Sequence, residues 1–237
     1  MSKKVIHKAD TRGHANHGWL NSYHSFSFAS YYNPERMGFG LLRVLNDDTV
    51  APGMGFSAHP HDNMEIVSIP LAGALAHKDS TGNEKTIRTN EVQIMSAGTG
   101  IVHSEYNHSK TEGVKFLQIW VFPKERDIEP RYEQKTFNPE DRQNKLQTVV
   151  APEKDNGAIW INQDAWFTLG SLKPGFSEEY KLHKKEHGVY AFVLEGNVEI
   201  DGEKLNRRDG IGLWDVDSIQ IKADSDAELL LMEVPMK

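Results

Sequence analysis

Residues 53–73 read GMGFSAHPHDNMEIVSIPLAG and residues 96–107 read SAGTGIVHSEYN. Each stretch carries a pair of ligand-type residues spaced i, i+2: His59 with His61, and His103 with Glu105. In a β-strand that spacing points both side chains to one face. Two such strands lining one interior deliver three imidazoles and one carboxylate, a four-donor set for a divalent transition metal. The chain has no cysteine, so thiolate ligation is excluded.

Working outward, short apolar runs alternate with turn residues along the whole chain. Strands are expected at Gly40 to Leu45, Glu65 to Leu71, Phe116 to Phe122, Val189 to Leu194, Asn197 to Ile200 and Leu229 to Val234. Ala72-Gly73, Thr81-Gly82-Asn83 and Asp201-Gly202 punctuate them as turns. Helical periodicity is confined to short pieces near Pro139 to Gln143 and Asn162 to Ala165. The pattern is that of an all-β sandwich or barrel.

Glu65 to Gly73 aligns with Gly188 to Gly196, both apolar runs ending in Leu-x-Gly. Each is followed by another strand, a glycine-containing turn and an acidic residue, Glu91 in one copy and Asp209 in the other. The repeat predicts two β-units, residues 1–130 and 146–237, joined by a charged linker over 131–145. In that alignment His59 and His61 fall opposite Leu182 and Lys184, and His103 and Glu105 opposite Ile221 and Ala223. The first unit is therefore expected to hold one metal and the second none. His183 is out of phase with the matched positions and has no partner on a second strand, so His183 and His187 read as surface residues rather than a second site; His77 and His108 also read as surface residues.

The chain has 237 residues, 38% of them hydrophobic, and a formal charge of −7, which disfavours a nucleic-acid partner. The N-terminal MSKKVIHKADTRGH lacks the apolar region of a signal peptide, and no apolar run reaches membrane-spanning length. With no cysteine, a cytoplasmic protein is the expectation.

The spaced residues from Gly53 through His59, His61 and Glu65 to Gly73 resemble the first cupin motif, and Ser96 to Asn107 resembles the second in the form used by pirins. Arg12-Gly-His14, His17-Gly-Trp19, Phe26-Ser-Phe28 and Leu117-Gln-Ile-Trp120 are similar to bacterial pirins of the quercetin 2,3-dioxygenase type. Asn90 departs from the glycine with which the second motif usually opens. The resemblance implies a bicupin, two β-barrels in one chain, with a mononuclear metal in the N-terminal barrel.

Mapped onto this sequence, the ligands implied are His59, His61, His103 and Glu105. Glu65 competes with Glu105, because strand alternation also puts it on the face of His59 and His61; the family match favours Glu105. Glu65 then becomes an acceptor that orients an imidazole, and Gln118 a donor facing the cavity. The donor set suits Fe(II), the first choice, or Zn, Ni, Co, Mn or Cu. The activity implied is a dioxygenase in which O2 opens the C ring of a flavonol, a planar phenolic, to a depside with release of carbon monoxide, Glu105 serving as general base. The rival reading is a redox-sensing regulatory protein acting through protein partners. His14, His17 and His24, among Trp19, Tyr23, Phe26 and Phe28, form either an aromatic wall of the substrate pocket or a segment packed on the barrel.

Overall fold

A computed structural model describes residues 3–154 and 157–237. Four sheets, antiparallel except for the short parallel pairing of Leu146–Ala151 with Ile159–Trp160, account for nearly all the regular structure, arranged as two sandwiches of one seven-stranded and one four-stranded sheet. In the first half the large sheet runs Arg131–Thr136, Glu91–Ser96, Glu65–Ala72, Val114–Val121, Leu42–Val50, Leu20–His24, Gly13–Asn16. The small sheet runs Gly55–His61, Ile101–Asn107, Ala74–Asp79, Glu84–Arg88. In the second half the large sheet is Lys3–His7, Gly210–Trp214, His187–Glu195, Ala227–Pro235, Trp166–Leu172, Leu146–Ala151, Ile159–Trp160. Its small sheet is Ser177–Lys181, Ser218–Ala223, Asn197–Ile200, Glu203–Asn206. The order of equivalent strands is the same in both small sheets, as the sequence repeat requires.

Side-chain alternation explains how the halves meet. In His187–Glu195, Val189, Ala191 and Val193 enter the core of their own barrel with Val198, Ile200, Ile219 and Ile221. The intervening Tyr190, Phe192 and Leu194 enter a second core, shared with Val67, Ile69, Leu117 and Ile119 of the first half. A strand buried on both faces reads as a continuous apolar run, which is why this one lacks clean alternation. The two large sheets therefore pack against each other, with one small sheet outside each.

The interior of the first barrel differs. Alternate positions of its strands bring polar residues inward: Asn46 and Asp48, Ser68, Gln93, Gln118, His103 and Glu105 are all buried. At the corresponding place in the second barrel, Ile221 and Ala223 are packed in the apolar core. One barrel is filled and the other lined.

Several expectations need correction. Arg131–Thr136, read as linker, is a strand paired to Glu91–Ser96. Lys3–His7, read as part of the first unit, pairs with Gly210–Trp214 and so belongs to the large sheet of the second half. Pro139–Arg142 is a 3-10 turn, but Asn162 to Ala165 is irregular: the side chains of Asn162 and Gln163 donate to the Glu125 and Phe122 carbonyls instead of supporting a helix. The Leu-x-Gly signals hold at both copies, where Gly73 and Gly196 turn with φ of 78° and 76°. Alanine at 196 would also place its Cβ 2.0 Å from the Asp226 carbonyl oxygen. Asn90 and Arg208, equivalent in the repeat, both adopt the left-handed conformation, at φ of 69° and 67°. Arg208 sustains that strain while its Nε lies 2.9 Å from Asp47 Oδ2 of the other barrel. Among the described residues no helix is long and apolar enough to cross a membrane.

Candidate metal centre

Gly55–His61 and Ile101–Asn107 are neighbours in the small sheet, with His59 directly opposite His103 and His61 opposite Ile101. Alternation buries Ile101, His103, Glu105 and Asn107 and exposes or half-exposes the residues between them. The three imidazoles of His59, His61 and His103 converge, with ring centroids 4.4 to 4.9 Å apart. Their ligand atoms lie within 4.8 Å of one another. A second group of the same tightness contains His103, Glu105 and His77. His103 thus belongs to both groups and joins the four expected residues.

The protonation states suit a cation. Burial, then the neighbouring imidazoles, hold His103 down to about 2, and burial holds His61 down to about 4, so both rings are neutral and their lone pairs free. Both ring nitrogens of His103 are buried without a hydrogen-bond partner in the protein. That is a costly arrangement, which a metal bond at one of the two nitrogens would relieve in part. His59 Nδ1 donates to the Ser57 carbonyl at 2.8 Å, which fixes the proton there and leaves Nε2 as the ligand atom. Burial pushes Glu105 up to about 7 against the hydrogen bonds it accepts, and a nearby cation would restore its charge. Three converging imidazoles and a buried carboxylate fit a divalent transition metal.

Gln118 Nε2 donates to Glu105 Oε2 at 2.8 Å and Ser68 Oγ to Glu105 Oε1 at 3.3 Å. The two donors come from adjacent strands of the large sheet, where Gln118 and Ser68 are register partners. The small sheet thus supplies the imidazoles and Glu105, and the large sheet orients the carboxylate. Glu65, by contrast, accepts from Ser96 Oγ at 2.8 Å and from the backbone N–H of Asn162 at 3.1 Å. Its hydrogen bonds tie the first barrel to the second half rather than orienting an imidazole.

An inner cavity of about 210 Å³ opens beside His59, His61, Glu105 and Gln118. Its walls are mostly apolar and include Leu20, Phe28, Phe56 and Trp120. His17 and His24 also line it, so the N-terminal aromatic segment is at once a pair of sheet strands and a cavity wall. His14 lies outside, stacked on Tyr23. An outer cleft of about 730 Å³ shares His59, His61 and Trp120 with the inner cavity. Met64 lines that cleft, whereas Met95 is core.

Two histidine readings are corrected. His77 is buried, its Nε2 2.9 Å from Asp79 Oδ2 and its ring 5.3 Å from that of His103. The signal for it was present: His77 and Asp79 repeat the i, i+2 spacing on the strand next to His103 and Glu105. His187 is also buried, and with His183 and Tyr180 it hydrogen-bonds Glu233, at 3.1, 2.8 and 2.9 Å. These three surround one carboxylate in the second half and form none of the converging donor groups found among the described residues. His108 is exposed as expected.

Fold and site together define a two-barrel cupin with a metal-ready first barrel, and the comparisons with known proteins narrow that class. The Pirin family model matches residues 5–121, and the model described as quercetinase C-terminal cupin domain matches residues 148–234. The chain belongs to the pirin family. It is 47% identical to quercetin 2,3-dioxygenase of Escherichia coli K12 over 232 residues, covering 97% of this chain and 98% of that one. It is 43% identical to a pirin-like protein of Caulobacter vibrioides, covering 94% and 96% of the two chains. The crystal structure of the bacterial pirin YhhW from Escherichia coli in complex with nickel(II) superposes with a TM-score of 0.93 at 45% identity, covering 98% of this chain and 99% of that one.

Proposed function

We propose that this protein is a metal-dependent dioxygenase of the quercetinase type, opening a flavonol with O2 to a depside and carbon monoxide. The observation that carries the reading is the doubly unpartnered, neutral His103 beside two further imidazoles and a buried carboxylate, of which His59, His61 and Glu105 line an apolar cavity. Near-full-length similarity to an Escherichia coli quercetin 2,3-dioxygenase supports the reaction class.

In this reading His59, His61, His103 and Glu105 hold one divalent transition metal, Fe(II) in the cell, and the metal supplies Lewis-acid and redox chemistry toward an oxygen-donor substrate and O2. Glu105 takes the proton of the substrate hydroxyl at a carboxylate oxygen. Gln118 and Ser68 hold the carboxylate in place through the transfer. Phe28, Phe56 and Trp120 offer flat apolar surfaces to a planar ring and keep water from it.

The test is metal analysis of protein purified without oxygen, followed by O2 uptake with a flavonol after loading each candidate metal. One metal per chain, flavonol-dependent uptake and greatest activity with iron are expected. Absence of flavonol-dependent uptake with every metal would overturn the assignment.

A further inference from the structure

The inner cavity has a polar floor that the proposed chemistry does not use. Asn46 and Asp48 lie two residues apart on Leu42–Val50, on the face turned into the barrel. Across the sheet, His24 is opposite Asn46 and Ser22 opposite Asp48. His24, Asn46 and Asp48 are each 2 to 3% exposed, and all three line the cavity. Ser22 Oγ lies 2.8 Å from His24 Nε2 and also hydrogen-bonds the Asp48 carboxylate. Asn46 Oδ1, Asp48 Oδ1 and His24 Nδ1 have no partner in the protein.

Buried acceptors are rarely left unpaired, and two on one strand face of a cavity call for donors from whatever fills it. Successive same-face positions are about 7 Å apart along a strand, so Asn46 and Asp48 can approach a pair of neighbouring hydroxyls from opposite sides. The apolar walls suit an aromatic ring between them and the imidazoles.

We propose that Asn46 and Asp48 determine specificity by accepting hydrogen bonds from ring hydroxyls on the part of the substrate that enters the inner cavity, so that the cavity selects a planar phenolic with adjacent hydroxyls, a catechol. The proposal rests on the reading of the site as a flavonol pocket, with the reacting end at the histidines and the remainder of the molecule in the outer cleft. A ligand without those hydroxyls strands the two acceptors away from water, and sites built on hydrogen bonds discriminate strongly against such analogues.

The probes are three flavonols with two, one and no hydroxyls on the B ring: quercetin, kaempferol and galangin. Equilibrium binding to the metal-loaded protein is followed by tryptophan quenching without oxygen, and KM and kcat are measured separately in air. Affinity is expected to fall roughly tenfold for each hydroxyl lost, with KM carrying most of the difference. Asp48→Ala and Asn46→Ala should each compress the series, and Asn46→Asp, which keeps an acceptor, should retain it. Equal binding of the three flavonols by the unaltered protein, or binding of none, would overturn the inference without recourse to any variant. Discrimination that survives both alanine substitutions would overturn it as well. Graded binding without turnover would sink the dioxygenase reading and leave this one standing; equal turnover and binding of all three would do the reverse.

Discussion

At the residue scale, Glu65 and Glu105 are both buried carboxylates, but they have different partners. Glu105 stands with His103 and His77, held by Gln118 and Ser68. Glu65 accepts from Ser96 and from the backbone of Asn162. Glu105→Gln is therefore expected to weaken metal binding by more than about 100-fold, beyond the range typical of residues that merely support a ligand, and to abolish turnover. Glu65→Ala should leave metal stoichiometry unchanged and lower stability by about 1–3 kcal/mol, because the Ser96 hydroxyl and the Asn162 N–H lose the oxygen, Oε2, that accepts from both. Isothermal titration with the metal and denaturant unfolding on both variants distinguish these outcomes. Glu233 offers a pH test. Its carboxyl is held down to about 2 from 4.5, burial opposing while the bonds from His183, His187 and Tyr180 prevail. A depressed carboxylate contributes stability that is complete above pH 4.5 and lost as pH falls toward 2. Glu233→Gln should flatten the acid limb of a plot of melting temperature against pH between those values. An unchanged limb would remove Glu233 as its cause.

At the element scale, one outer strand of each large sheet, Lys3–His7 in one and Arg131–Thr136 in the other, pairs with a strand distant in sequence. Lys3–His7 closes the second half, placing Val5 against the shared core, Ile6 against the core of the second barrel, and His7 Nδ1 2.9 Å from Tyr190 Oη. Removing every residue before Ala9 should cost about 2–4 kcal/mol, or roughly 4–16 °C in melting temperature for a chain of this size. Metal stoichiometry should stay the same, because the candidate centre lies in the other barrel. Scanning calorimetry with metal analysis on the truncated protein checks both halves of that statement. These outer strands also mark the limit of what sequence can reveal. The inner strands were legible because their side chains alternate or run apolar, and the histidine pairs because i, i+2 on a strand is a geometric statement. Arg131–Thr136, RYEQKT, is polar throughout and half-exposed at an edge, so it carries no periodic signal. Lys3–His7 has only two apolar residues, and its partner lies at the far end of the chain. His187 looked like a surface residue because the carboxylate that satisfies it, Glu233, is distant in sequence and meets it only through strand pairing. Asn46 and Asp48 could be read as ordinary turn-forming polar residues until the barrel closed around them.

At the scale of the whole molecule, one apolar core runs through both large sheets, from Leu45, Val67 and Leu117 on one side to Phe167, Phe192 and Met232 on the other. Asp47 reinforces it by meeting Arg12 and Arg208 at 3.2 and 2.9 Å. Neither large sheet can leave the other without exposing a face of fully buried side chains, each contributing about 1.5–3 kcal/mol. The two barrels are expected to unfold together, in a single calorimetric transition whose van't Hoff and calorimetric enthalpies agree. Two resolved transitions, or a stable isolated half, would show the shared core to be weaker than its burial implies.

The pairing of Lys3–His7 with Gly210–Trp214 also sets a schedule. On a ribosome the first of these strands emerges roughly 200 residues before its partner, a delay of about 10–40 s at 5–20 residues per second. Throughout that interval it is an unpaired strand beside a folding β-barrel, the situation in which stray edge pairing begins. Lys3, Lys4 and Lys8 give the waiting segment a positive charge and little apolar surface. The same lysines then find partners: Lys4 meets Glu203 and Lys8 meets Asp209 once the second barrel exists. The charges that keep the strand soluble during synthesis become the contacts that hold it at the end.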